Sequence, residues 1–124
     1  MKIEETEGGT LETWDADEVE AGLEAGEIVL IDVRTPQEYM VEHVHGALLM
    51  PMAFFRPETL PGETEKKLVF HCGSGVRSEK VARRVLENGR PVVRHLGGGF
   101  AAWKQAKKAY VGTDMASGAP KKMG

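Results

Sequence analysis

Short apolar segments alternate along this chain with segments of helical period, and that alternation restricts it to few architectures. Ile28 to Val33 is an apolar run of strand length, the pattern of a strand covered on both faces. Leu68 to His71 and Val92 to His95 read as two further strands, with shorter candidates at Leu11 to Trp14 and Ala47 to Met50. Helix signals fall between them. Asp15-Ala16-Asp17-Glu18 reads as a capping box that opens a helix with Val19 and Leu23 on one face and Gly26 at its end. Thr35-Pro36-Gln37-Glu38 is a second capping box, with Pro36 at the first helical position. From Ser78, Val81, Ala82, Val85 and Leu86 mark one helix face, and Asn88-Gly89 ends it. A last helix runs through Ala101, Trp103 and Ala106. This order predicts an α/β fold: a parallel sheet with helices on both faces. Such sheets bind ligands at the carboxyl ends of their strands, and Cys72 stands at one such end.

The length of 124 residues suits one domain with a core of its own. Residues 1–9 read as a flexible lead-in, 10–110 as the folded domain with a loop over 56–66, and 111–124 as a mobile tail. No apolar run is long enough to span a bilayer, and the acidic N-terminus lacks the apolar stretch of a secretory signal. The cytoplasm is therefore the expected compartment, with no membrane partner. The single cysteine, Cys72, excludes an internal disulfide, a multi-cysteine zinc site and a dithiol redox pair within the chain.

Charge is unevenly distributed. Residues 1–65 hold sixteen acidic against three basic residues, whereas 66–108 hold eleven basic against two acidic. Either the two halves pack together and neutralise each other, or the half with Cys72 makes a positive field for an anionic substrate. A sequence pI near 5.8 and the lack of basic-aromatic interleaving argue against nucleic acid as a partner.

The segment Cys72-Gly73-Ser74-Gly75-Val76-Arg77-Ser78 lies between a strand and an amphipathic helix. Its two glycines let the backbone curl so that successive N–H groups point at one centre. The helix that follows turns its positive dipole end to the same place. Together these features should hold the sulfur as a thiolate at neutral pH and stabilise an anion attached to it. Cys72 is accordingly the candidate nucleophile.

Three stretches carry a family resemblance: Asp32 to Tyr39 followed by Glu42 to Ala47, Cys72 to Ser78, and Leu96 to Trp103. In order and spacing they resemble the single-domain rhodanese family, thiosulfate sulfurtransferase-like proteins, over about residues 11–108. The resemblance implies a three-layer domain with a five-stranded parallel sheet. It implies a ping-pong sulfur transfer in which Cys72 takes the outer sulfur of a donor as a persulfide and passes it to an acceptor. The donor would be thiosulfate or a low-molecular-weight persulfide, and the acceptor cyanide, a thiol or a protein, with no cofactor and no metal. Four residues separate Cys72 from Arg77, as in sulfurtransferases. Related phosphatases use five, so a phosphatase or arsenate reductase is disfavoured. A binding or carrier module on the same fold, with little small-molecule turnover, is the alternative.

Within this reading Arg77 either binds the oxyanion end of a donor or steadies the loop, since a cation at a helix start opposes the dipole. Gly73, Ser74, Gly75, Val76 and Ser78 form the substrate-binding loop, with the two hydroxyls as possible donors. By resemblance, Asp32 and Arg34 brace neighbouring loops. Tandem-domain relatives tend to carry an anion-clamping arginine where this chain has Glu38, which leaves Arg77 and the backbone amides for anion binding. His43 is expected to make a structural hydrogen bond, and His71 to point away from Cys72 into packing. Gly97, Gly98 and Gly99 suit a tight turn rather than a dinucleotide loop, and Phe100 and Trp103 the core.

Overall fold

The computed structural model describes residues 1–63 and 65–124; Thr64, within the 56–66 loop, lies outside the described residues. In chain order the elements are β1 (Lys2–Thr6), β2 (Gly9–Trp14), α1 (Ala16–Glu24), β3 (Ile28–Asp32), α2 (Pro36–Val41), β4 (Glu42–His43) and β5 (Leu48–Leu49). They continue with β6 (Lys67–His71), α3 (Val76–Glu87), β7 (Val92–Leu96), α4 (Gly99–Gln105), β8 (Tyr110–Thr113) and β9 (Pro120–Met123). The main sheet has the order β1-β2-β7-β6-β3-β5. Its last five strands are parallel, as the sequence predicts, and β1 adds an antiparallel edge against β2. Both capping boxes form. The Asp15 side chain accepts from Glu18 N–H and that of Thr35 from Glu38 N–H, while each glutamate reaches back to the cap backbone.

Side chains alternating along the strands build two cores, one on each face of the sheet. Ile31, Val33, Leu68 and Phe70 pack with Val81, Ala82, Val85 and Leu86 of α3. Ile28, Leu30 and Val69 pack on the other face with Val19 of α1 and with Phe100 and Trp103 of α4. The alternation puts Cys72 among the α3-side residues, while His71, also fully buried, approaches the Phe100 ring on the other side.

Two segments differ from the sequence reading. Residues 2–6, expected as a loose lead-in, are a strand, and residues 110–113 and 120–123, in and beside the expected tail, form a hairpin beside β4. Neither shows an apolar period, because backbone pairing and side-chain ties hold them instead. Glu4 pairs with Arg83 of α3, and Thr113 Oγ1 donates to Met40 O. The α3 helix also starts two residues before Ser78, within the cysteine loop.

The charge asymmetry resolves into neutralisation between the halves. Arg94 pairs with Glu12 and Glu63, Lys104 with Glu42, and Lys108 with Asp17 and Glu20.

Leu30 is completely buried between α1 and the sheet. Leu30→Ala is expected to lower the unfolding free energy by about 2–5 kcal/mol in urea titration.

Candidate active site

The cysteine loop crosses the carboxyl end of β6 and turns into α3. Gly75 is the N-cap of α3 and has φ +97°, a conformation that favours glycine. No side chain of the conventional kind caps this helix. Instead the Cys72 sulfur takes that position: Gly75 N–H donates to Sγ at 3.1 Å and Ser78 N–H at 3.3 Å. Cys72 and Ser78 are fully buried. Two backbone donors at a helix start stabilise negative charge on the sulfur.

The loop is held from a second direction by α4. Phe100 N–H donates to Cys72 O at 2.7 Å and Ala101 N–H to Gly73 O at 2.9 Å. Gly99 makes this approach possible. It has φ +58°, and a Cβ built on it would lie 2.4 Å from Cys72 O. The expected glycine turn is thus a clamp on the cysteine loop.

Below the loop lies a buried polar cluster. Asp32 Oδ1 accepts from Arg34 N–H at 2.9 Å and Nε–H at 3.0 Å, and Oδ2 accepts from Arg34 Nη2 at 2.8 Å. Arg34 Nη2 also donates to Glu42 O at 2.7 Å, and its guanidinium lies 4.7 Å from the Phe100 ring centre. The pair therefore joins the end of β3 to β4 and to α4. His71 Nε2 is 3.5 Å from Asp32 Oδ2, and Nδ1 is 3.3 Å from Cys72 O. Burial pushes the His71 pKa down and outweighs the pull of Asp32.

The remaining predicted residues divide. Arg77 does not point a free fork toward a ligand; it is paired at both nitrogens with Glu38. Ser74 and Val76 are exposed on the outer side of the loop. There, with Gly75, Thr13, His95 and Gly98, they border a cleft of about 640 Å³. Ser78 Oγ lies 3.2 Å from Gly75 O and 3.0 Å from His95 Nδ1. His43 Nδ1 is 2.8 Å from Tyr39 O, and its ring stacks on Tyr39.

Sequence reasoning passed over His95. Its Nε2 is 3.2 Å from Thr13 Oγ1, so it connects Ser78 to β2 beneath the loop. The available signal was a histidine beside Arg94 near the carboxyl end of a strand otherwise made of Val92, Val93 and Leu96. Desolvation lowers the His95 pKa, as it does that of His71.

A buried sulfur receiving backbone N–H groups between a parallel strand and a helix defines a cysteine-centred α/β domain. Residues 15–106 match the family model of the rhodanese-like domain, and the chain belongs to that family. It is 36% identical over 78 residues to the thiosulfate sulfurtransferase GlpE of Coxiella burnetii, covering 63% of this chain and 73% of that protein. It is 33% identical over 118 residues to the tRNA uridine(34) hydroxylase of Erwinia tasmaniensis, covering 81% of this chain but 34% of that one. An uncharacterised Synechocystis protein is 37% identical over 79 residues; the match covers 64% of this chain and 44% of that protein's length. In structure, the rhodanese-like domain of an Anabaena protein superposes with a TM-score of 0.68 at 24% identity, covering 88% of this chain and 84% of that one. No helix among the described residues is long and apolar enough to cross a membrane.

Both buried histidines have pKa values below the ordinary 6.5, so each is neutral in the fold where the unfolded chain binds a proton. Stability is then greatest above pH 6.5 and falls as the pH drops below it toward the folded-state values. Between pH 7.5 and 5.5, urea denaturation should show a loss of up to about 1.4 kcal/mol per histidine. His95→Gln should remove about half of that loss; a flat profile in the parent chain would contradict the assignment.

Proposed function

We propose that this chain is a sulfurtransferase that carries sulfane sulfur as a persulfide on Cys72. The observation that carries this reading is the Cys72 sulfur receiving the Gly75 and Ser78 N–H groups at 3.1 and 3.3 Å. Family membership and the likeness to a thiosulfate sulfurtransferase support it. In the first half-reaction the Cys72 thiolate attacks the outer sulfur of thiosulfate or of a low-molecular-weight persulfide. The donor S–S bond breaks, its electron pair leaves with sulfite or a thiolate, and a new S–S bond forms at Cys72. In the second, an acceptor (cyanide, a thiol or a protein nucleophile) attacks the outer sulfur and Cys72 leaves as the thiolate. The N–H groups serve both directions, since negative charge returns to the same sulfur. The reaction draws on no cofactor, and we place it in the cytoplasm.

Complete burial of Cys72 favours a second reading, a carrier that receives sulfur from a partner protein and turns over small donors slowly. Rapid persulfidation by a partner with negligible thiosulfate–cyanide turnover would select it. Cys72-dependent hydrolysis of an aryl phosphate would instead revive the phosphatase reading, which the four-residue spacing to Arg77 disfavours.

Intact mass analysis after donor treatment should show one added sulfur atom, removed by cyanide and absent from Cys72→Ala. An equal adduct on Cys72→Ala, or none on the parent chain with any sulfane donor, would refute transfer through this residue.

A further inference from the structure

The cation of the cysteine loop is already occupied. Arg77 Nη1 donates to Glu38 Oε1 at 2.7 Å and Nη2 to Oε2 at 2.9 Å, so both carboxylate oxygens face the guanidinium fork. Each side chain is about one-third exposed, which places the pair at the rim of the fold. It also packs against the loop itself. A Cβ built on Gly73 would lie 3.1 Å from Arg77 Nη2 and 3.9 Å from Glu38 Oε2.

Glu38 is tethered from its other side. Its Oε1 accepts from Thr35 N–H and Thr35 Oγ1, both at 3.1 Å, as part of the α2 capping box. The Arg77 hydrogen bonds, ahead of those from Thr35, hold its pKa down to about 2, so it is a carboxylate at any neutral pH. Of the other cations near the loop, the arginine is paired. Arg83 pairs with Glu4 and Glu79, and Lys2 and Lys80 border the adjoining cleft together with those same two glutamates.

We propose that Glu38 sets the donor selectivity of this site: by holding the Arg77 fork it withdraws the loop cation from anion recognition. The site then takes sulfur from persulfides with an uncharged organic group in preference to dianionic thiosulfate. This rests on the sulfurtransferase reading and narrows its substrate class. With thiosulfate, Cys72 attacks the outer sulfur and the electron pair of the broken S–S bond departs on sulfite, so two negative charges enter and leave beside Glu38. With R–S–SH, the same attack yields Cys72–S–SH and R–S⁻, which takes a proton from water. At most one negative charge is then brought in. Paired, the two charges largely cancel, so the loop cation offers an incoming anion little net attraction, and that loss scales with the charge of the donor.

The test is the rate of sulfur addition to Cys72 in the full chain, with thiosulfate and with the persulfide of 2-mercaptoethanol as the two donors. Glu38→Gln removes the charge but leaves a residue that closes a capping box. It should raise the thiosulfate-to-persulfide rate ratio by about tenfold or more. Added sodium chloride should lower that ratio in Glu38→Gln and leave it level or raise it in the parent chain, because the freed Arg77 attraction is screened. Thr35→Ala weakens the cap without touching the charge and should leave the ratio within about twofold of the parent. A ratio in Glu38→Gln within about twofold of the parent overturns the proposal, as does an equal rise in Thr35→Ala. If the parent chain gains sulfur but the ratio does not move, selectivity by Glu38 fails and sulfur transfer stands. If the parent gains no sulfur from either donor, both fail.

Discussion

The site depends on one reciprocal arrangement of helix ends around Cys72. The sulfur accepts the Gly75 and Ser78 N–H groups at the start of α3, and the Cys72 and Gly73 carbonyls accept the Phe100 and Ala101 N–H groups at the start of α4. Helix starts carry N–H groups without intrahelical partners, and burying them unpaired is costly. Here the cysteine loop supplies acceptors to two helices at once. That satisfies two N–H groups at each helix start and fixes the sulfur where α3 directs its positive end. The same N–H groups that complete the fold are therefore those that face the sulfur.

The clamp needs a rigid floor, and the Asp32–Arg34 pair provides it. Asp32 is completely buried and Arg34 nearly so. Arg34 reaches from Asp32 to Glu42 O and lies over Phe100, the residue whose N–H holds Cys72 O. Removing one partner of such a pair leaves an uncompensated buried charge, which typically costs about 3–5 kcal/mol. His95 plays the comparable part on the other side of the loop, connecting Ser78 to Thr13. Both supports are polar groups inside apolar cores, so the loop is positioned by directional contacts as well as by packing.

Much of this was legible in the residues. Apolar runs located β3, β6 and β7, and the two capping boxes located α1 and α2, because each rests on a local physical preference that tertiary contacts did not override. Cys72 was legible because a cysteine between a buried strand and a glycine loop has a narrow set of uses. What stayed hidden was pairing over long separations. Nothing in the pattern of Lys2–Thr6 announces a strand, since its order comes from backbone bonds to β2. The Glu38–Arg77 pair joins residues 39 apart in the sequence, so both were visible and their meeting was not. That contact bears on both roles considered for Arg77, binding the donor or steadying the loop: its fork is paired with Glu38 and ties the loop to α2. Together with the pairs made by Arg94, Lys104 and Lys108, it uses much of the uneven charge in internal neutralisation.

A loop that turns two N–H groups onto a buried sulfur, with its cation paired to Glu38, is suited to holding sulfur more than to gripping a large anion. The central claim is that the transferred atom sits on Cys72 within this clamp. It is tested most directly by a crystal structure of the protein after treatment with a sulfane donor. The account predicts one extra sulfur bonded to Sγ, with the Phe100 and Ala101 N–H bonds to the loop retained. An unmodified Cys72 in protein whose mass shows the added atom, or a persulfide reached only by releasing the loop from α4, would contradict it.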